Sequence, residues 1–491
     1  MRVDHVVKVG VLCTSDTHGL FDGSVSVDEL RSEFKRMKDA EECDGWVIID
    51  NGDTLQGSSR LHYYALNAKE NHPFHLYMKE LEYDSFVPGN HDFDYGKTFF
   101  ASINKESTVP FVCANIMKEE GKIDGIRPYI IKEIHGLKVA VIGITLRVFW
   151  EDPLFEKEGW LIADEWIVVQ RLLDHLKASI QPDLIIVSYH GGLDDQVGER
   201  NVGEQLSQLN EIDLLITGHQ HQLINDNQGD GPIVIQAGKC GEKVGCVTFD
   251  FVKRGSQYIK SGYRAELNDI HYTQKKEKDE VSDWFNHPFF MHHYQEQKLS
   301  RLQMEETCVS RWVHEAICHE AGGDVTIFSL SAQELAIPSR VIDRKTLFEL
   351  YPYPDRLYYY SLSREEIKHL LEISASMYDP TLEIAQSWRT PHPLYYQFAI
   401  AGGADYEIDV SKPVGERVTL KLSPMNNYTV AVTAFLVQRA TKYHPFFAKR
   451  KPVYKVDVTM PALLESYARK TLTLQSVPKP KWKVVKDVTN D

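Results

Sequence analysis

Five short polar segments hold the residues of this 491-residue chain best suited to chemistry: 15–19 (SDTHG), 51–53 (NGD), 89–92 (GNHD), 188–192 (SYHGG) and 218–221 (GHQH). Together they supply Asp, His and Asn side chains and no cysteine cluster. Such hard and borderline donors suit a pair of divalent ions such as Mn²⁺, Zn²⁺ or Fe. Two ions held close together most often serve hydrolytic phosphate chemistry.

Asp16 and His18 are two residues apart after an apolar run, and in an extended segment such residues point to the same side and reach one ion. Asp53 follows Gly52, which lets the backbone approach closely, and one carboxylate can bridge two cations. Asn90 offers a neutral carbonyl that hard ions accept. His91 is adjacent, so its side chain diverges toward substrate. Asp94, three residues on, can orient that imidazole and raise its basicity. Such a pair suits protonation of a leaving alkoxide, while a plain helix N-cap by Asp92 or Asp94 is the structural alternative. His190 follows another apolar run, and His219 and His221 repeat the two-residue spacing.

Each segment needs an element to deliver it. Apolar runs at 7–13, 46–49, 86–87, 111–113, 139–144, 184–187, 214–216, 233–235 and 246–251 read as buried strands, with amphipathic helices at 28–38 and 167–179 between them. This alternation predicts an α/β sheet with helices on its faces. The motifs fall at the C-terminal ends of strands, where loops leave an open sheet. Composition turns polar and charged at 273–283 (TQKKEKDEVSD), which predicts a domain boundary and a helical stretch to about Glu315. Beyond it, runs at 325–328, 357–362, 418–420 and 429–432 and helices at 364–377 and 461–468 read as α+β, and the tail from Pro478 as poorly ordered. The predicted division is 1–272, a connecting 273–315, 316–478 and a tail at 479–491.

Apolar residues make up 43% of the chain, charged residues 25%, and the net charge is −15. That size predicts two domains, and that balance argues against a grip on duplex nucleic acid, which needs clustered Lys and Arg. The seven cysteines are irregularly spaced and read as reduced, largely buried thiols rather than a disulfide framework. The start goes directly into a strand with no signal-peptide pattern, and no window suggests a membrane span, so the chain is expected to be cytoplasmic.

The ordered series D-x-H, GD, GNHD, H and GHxH resembles the calcineurin-like metallophosphoesterases. DNGDTLQG, GNHDFDYG and YEIDVSKPVGERV at 406–418 narrow the resemblance to the 5'-nucleotidase and 2',3'-cyclic-nucleotide 2'-phosphodiesterase/3'-nucleotidase family. It covers nearly the whole chain. It implies a four-layered αββα metal domain followed by a smaller α+β substrate-recognition domain that rotates against it. It also implies one metal held by Asp16, His18, Asp53 and His221, a second held by Asp53, Asn90, His190 and His219, and a catalytic pair His91–Asp94. Asn90 would also contact phosphate, and Tyr353 (in LYPYPDRL) and Phe435 (in VTAFLVQR) would clamp the nucleobase.

The branch markers disagree. FSLSAQEL at 328–335 resembles the cyclic phosphodiesterase branch, whereas Asp94 resembles the 5'-nucleotidase branch. The segment 436–442, usually glycine-rich, has no glycine here. The reading favoured from sequence is cyclic phosphodiesterase with 3'-nucleotidase activity. Its alternatives are a 5'-nucleotidase or broad-specificity phosphatase and, more distantly, a non-catalytic nucleotide sensor. His287, His292 and His293, the Cys318–His319 pair and the basic run 449–451 read as ordinary surface or loop features.

Overall fold

Alternate residues of the first strand, Val6–Thr14, face two different cores. Val7, Val9, Val11 and Cys13 pack with Val139, Val141, Leu184, Ile186, Leu214 and Ile216 of other strands. Leu12 instead joins Leu30, Phe34 and Met37 of the helix Val27–Glu41. That period of two places a sheet between a second sheet and a helical layer. On the far side, Ala140, Ile142, Val187 and Leu215 pack with Val169, Leu173 and Leu176 of the helix Glu165–Ser179. The layers are therefore helix, sheet, sheet and helix. Strands buried on both faces explain why the runs read as continuously apolar rather than alternating.

The computed structural model describes residues 6–67, 72–118, 121, 123–147, 159–195, 200–226, 231–255, 257–274, 280–291, 297–298, 304–330, 336–337, 341–378, 397–471 and 479–486. The chain divides into two compact units, Met1–Glu277 and Lys278–Asp491. In the first, one sheet runs Gln257–Asn268, Val244–Arg254, Val6–Thr14, Gly45–Asp50, Ser85–Phe86, Phe111–Val112 and Ile126–Arg127. The other runs Leu223–Asp226, Ile233–Ala237, Leu214–Ile216, Leu184–His190, Leu137–Thr145 and Tyr129–Ile134. The strands that precede the five motifs pair in parallel, so their loops leave at one edge of each sheet. Among the described residues, no helix is long and apolar enough to cross a membrane.

The second unit is mixed α+β. A sheet of Ala399–Gly402, Val325–Ser329, Tyr428–Thr433, Leu357–Leu362 and Tyr454–Val456 lies beside a smaller one of Val418–Lys421, Asp405–Asp409 and Trp482–Val485. Helices Cys308–Ala321 and Arg364–Ala375 contribute to its core, each opened by a capping box, from Thr307 and Ser363. Arg417 lies buried in this unit. Its guanidinium donates to the carbonyls of Lys412, Ala375 and Tyr378 at 3.0, 2.7 and 2.9 Å. Two of these, Ala375 and Tyr378, belong to the end of the helix Arg364–Ala375 and the turn after it. Arg417→Met is expected to destabilise the protein by about 3 kcal/mol, read as a lower urea midpoint, because three hydrogen bonds from a buried guanidinium would be lost together.

Three expectations need correction. The tail is not without order: Trp482–Val485 pairs in parallel with Asp405–Asp409, and Trp482 stacks on Tyr406 at 5.3 Å. A polar flank hid a strand whose alternate residues, Trp482 and Val484, are buried. The connection to Glu315 is not one helix. It comprises the helix Glu280–Phe285, the strands Pro288–Met291 and Gln297–Lys298, and the first half of the core helix Cys308–Ala321. The cysteines are all free, but Cys240 is exposed, on a turn with positive φ.

Candidate metal centre

Two groups of potential ligands converge at the strand ends of the first unit: Asp16, His18 and His221, and Asp53, His190 and His219. Within each, the ligand atoms lie within 4.8 Å of one another. Asp53 Oδ2 stands between the groups, 3.8 Å from His18 Nε2 and 3.3 Å from His190 Nε2. Asp16 Oδ1 lies 3.5 Å from His221 Nε2 and 3.9 Å from His190 Nε2. The carboxamide oxygen of Asn90 is 2.9 Å from His219 Nδ1, which brings Asn90 to the second group. His91 and Asp94 meet through Nδ1 and Oδ2 at 2.7 Å, and the His91 N–H donates to Asp53 Oδ1 at 2.7 Å.

The local backbone differs from the extended geometry expected from spacing. Asp16, His18, Asp53, His219 and His221 all have positive φ, between 41° and 66°. Non-glycine residues seldom adopt this region, and such strain concentrates at functional sites. Side chains two apart reach the same point here because the chain turns left-handed, not because a strand alternates. Nor is Asp92 or Asp94 an N-cap. His91–Phe93 is a single 3₁₀ turn with Asp94 at its C-terminal end.

Several residues that carry this geometry are not themselves candidate ligands. The buried carboxylate of Asp92 accepts the N–H groups of Asp53, Thr54, Leu55 and Gly89 at 2.7–2.8 Å, tying the two loops together. The buried Asn51 accepts His190 Nδ1–H on its carbonyl at 2.5 Å, and its side chain reaches Ser188 and Ser15 at 2.6 and 3.3 Å. Ser15 in turn donates to Asp16 at 2.5 Å. Each lies within a quoted motif, and the signal was there: these polar residues occupy the ends of runs whose neighbours are fully buried, where an unpaired polar group is costly. Gly89 fits because a Cβ there would meet Asp53 Oδ1 at 2.3 Å and His190 Cε1 at 2.5 Å. Gly89→Ala is expected to displace both side chains and lower turnover by about 10²-fold, with metal content falling in parallel by mass spectrometry.

The electrostatics favour cations. Burial works against ionising Asp16 and Asp53, but His190 outweighs it, with His221 at Asp16 and His91 at Asp53, and holds both carboxyls below their ordinary range. Burial lowers His18 to about 4, which leaves a neutral imidazole able to ligate. Burial also opposes charge on His190, yet Asp53 and Asp16 push it up to about 10. In the metal-free chain a proton on His190 therefore takes the place of a cation. Asp53 Oδ2 and His190 Nε2 are buried without a hydrogen-bond partner. Two buried ligand atoms aimed at one point without a hydrogen-bond partner fit a shared metal ion, and the N/O donor set fits Mn²⁺, Zn²⁺ or Fe.

The remaining candidates lie elsewhere. Tyr353 and Phe435 are half-buried on the core of the second unit. The segment 436–442 continues the helix Ala434–Gln438 into a turn held by Gln397. His287 is exposed, and His292, His293 and 331–335 of FSLSAQEL lie outside the described residues. Cys318 approaches His314, while His319 pairs with Glu320. Arg450 of the basic run pairs with Glu366 at 2.8 Å.

An αββα sandwich with paired Asp and His groups at one edge defines a metal-dependent phosphoester hydrolase. Residues 10–223 match the calcineurin-like phosphoesterase family, and residues 290–449 match the 5'-nucleotidase C-terminal domain. The chain belongs to the calcineurin-like metallophosphoesterases that carry this C-terminal domain, a family of divalent-metal hydrolases acting on phosphoric esters. It is 24% identical over 493 residues to a Yersinia enterocolitica protein named 2',3'-cyclic-nucleotide 2'-phosphodiesterase/3'-nucleotidase, covering 83% of this chain and 74% of that one. It is 22% identical over 489 residues to the Bacillus subtilis trifunctional nucleotide phosphoesterase protein YfkN, covering 83% of this chain but only 33% of that protein. A putative 5'-nucleotidase from Staphylococcus aureus, solved in complex with alpha-ketoglutarate, shares the fold with a TM-score of 0.81. It is 22% identical, and the match covers 98% of this chain and 100% of that one.

Proposed function

We propose that this protein hydrolyses nucleotide phosphoesters, with 2',3'-cyclic-nucleotide 2'-phosphodiesterase and 3'-nucleotidase as its principal activities. The observation that carries the reading is the pair of ligand groups meeting at the buried, unpartnered Asp53 Oδ2. In this reading Asp16, His18, Asp53 and His221 hold one ion, and Asp53, Asn90, His190 and His219 hold the other. Two divalent ions, when bound, neutralise charge on the phosphoryl oxygens and activate water for in-line attack.

The chain's own residues do the rest. Asn90 supports the phosphoryl group. Asp94 takes the Nδ1–H of His91, so proton transfer to the leaving oxygen runs through Nε2. Tyr353 and Phe435 bind the nucleobase by stacking, worth roughly 1–3 kcal/mol per base. The substrate is a free nucleotide rather than duplex nucleic acid, in keeping with the net charge of −15. The name of the Yersinia relative and the FSLSAQEL segment support the cyclic and 3' substrates.

A second reading, 5'-nucleotidase, is supported by the matched C-terminal domain and by Asp94. Phosphate release from 2',3'-cyclic AMP, 3'-AMP and 5'-AMP, with Mn²⁺ and with an EDTA control, separates the two. Turnover of the first two is expected, with 3'-AMP as the intermediate product of the cyclic substrate. Turnover of 5'-AMP alone would replace this reading with the second, and nucleotide binding without turnover would mark a sensor.

A further inference from the structure

The segment that bears Tyr353 and the helix that bears Phe435 are joined by one half-buried carboxylate. Asp355 lies two residues after Tyr353. It accepts the Tyr351 hydroxyl at 2.8 Å, the Arg356 N–H at 2.9 Å and the Phe435 N–H at 3.1 Å. Its carbonyl accepts the Met460 N–H at 2.7 Å, and the carbonyl of Arg356 accepts the Ala434 N–H at 2.7 Å. The N–H groups of Ala434 and Phe435, at the opening of the helix Ala434–Gln438, are thus both bonded to residues 355–356. Tyr351 at one end and Asp355 at the other hold Tyr353 between them.

We propose that Asp355 is a positioning residue for base recognition, setting the separation between Tyr353 and Phe435 by bonding both of their backbone segments. The proposal rests on the base-binding reading of those two aromatics. Stacking depends on ring separation, so fixed backbones spare the rings an ordering cost on binding. Three donors converge on the carboxylate, and ionised acceptors make the stronger hydrogen bonds. A carboxamide would turn an NH₂ toward at least one of those donors. Burial lifts the Asp355 carboxyl to about 6, a cost that a well-packed apolar side chain would not carry.

The test is Asp355→Asn with Tyr351→Phe, read by the dissociation constant for adenosine and by KM and kcat for 3'-AMP and 5'-AMP. Asp355→Asn is expected to weaken adenosine about tenfold and to raise nucleotide KM by a similar factor, with kcat little moved. The ratio of kcat/KM on nucleotide to that on p-nitrophenyl phosphate, which has no base, falls with it. Tyr351→Phe removes one of the three donors and is expected to give about a threefold effect, which carries the test should Asp355→Asn fail to fold. Equal loss of kcat/KM on both substrate types, or an unchanged adenosine constant, would overturn the proposal. Tyr353→Ala and Phe435→Ala locate the fault. If neither weakens adenosine, the base-binding reading falls and takes Asp355 with it. If both do while Asp355→Asn does not, only the positioning role falls.

Discussion

His190→Ala is expected to strip metal from the centre and to lower phosphoester turnover by about 10³-fold or more. His190 is wholly buried, its Nδ1–H is committed to the Asn51 carbonyl, and Nε2 faces Asp53. That commitment fixes the tautomer a metal requires. Alanine removes the ligand and leaves two carboxylates, Asp16 and Asp53, buried without their nearest counter-charge. Metal content after dialysis should fall, and the metal-free protein should melt at a lower temperature than metal-free wild type, because protonated His190 offsets part of that pair's charge. Unchanged metal content together with unchanged turnover would remove His190 from the site.

His91→Ala is expected to behave differently: metal content stays, while kcat falls about 10²- to 10⁴-fold. His91 is half-exposed, and neither ligand group includes its ring. Its task in the proposed mechanism is proton delivery, so the loss should track the leaving group. A nucleoside alkoxide, a poor leaving group, should lose most. A p-nitrophenolate, which needs no proton, should lose least. Asp94→Asn should lie between, because a carboxamide can present its NH₂ to Nδ1 and favour the wrong tautomer. Equal losses on both leaving groups would show that His91 stabilises phosphoryl charge instead of donating a proton. A loss of metal would make it a ligand.

The two variants together separate holding the ions from using them, a division the sequence already suggested. GNHD places Asn90 and His91 side by side, and adjacent side chains cannot both face one ion. In the structure Asn90 lies against His219, while His91 turns to Asp94. The two compact units part between Glu277 and Lys278, inside the charged segment, where a break in apolar patterning marks the end of a core. The polar edge strand Gln257–Asn268 was not legible, because most of its residues are at least partly exposed and it shows no buried run. The supporting residues Asp92 and Asn51 were legible only as polar positions in need of partners, not by the role they play. A polar residue inside a motif looks the same whether it binds an ion or the loop that does.

By itself the sequence determined the donor types, their order along the chain and the strands that deliver them, because apolar runs and metal-binding side chains are local facts. Tertiary structure decided the rest. Asp16 and His221 are far apart in the chain and belong to different sheets, and their meeting depends on the shared core of Val9, Val11, Leu184 and Leu214 that brings both C-terminal edges together. The left-handed turns at Asp16, His18, Asp53, His219 and His221 oppose intrinsic preference and persist because buried partners hold them, as the Asp16 carboxylate holds the His219 N–H at 3.0 Å. Which candidate ligands converge, and that Asp53 stands between the two groups, follow from that packing and not from spacing.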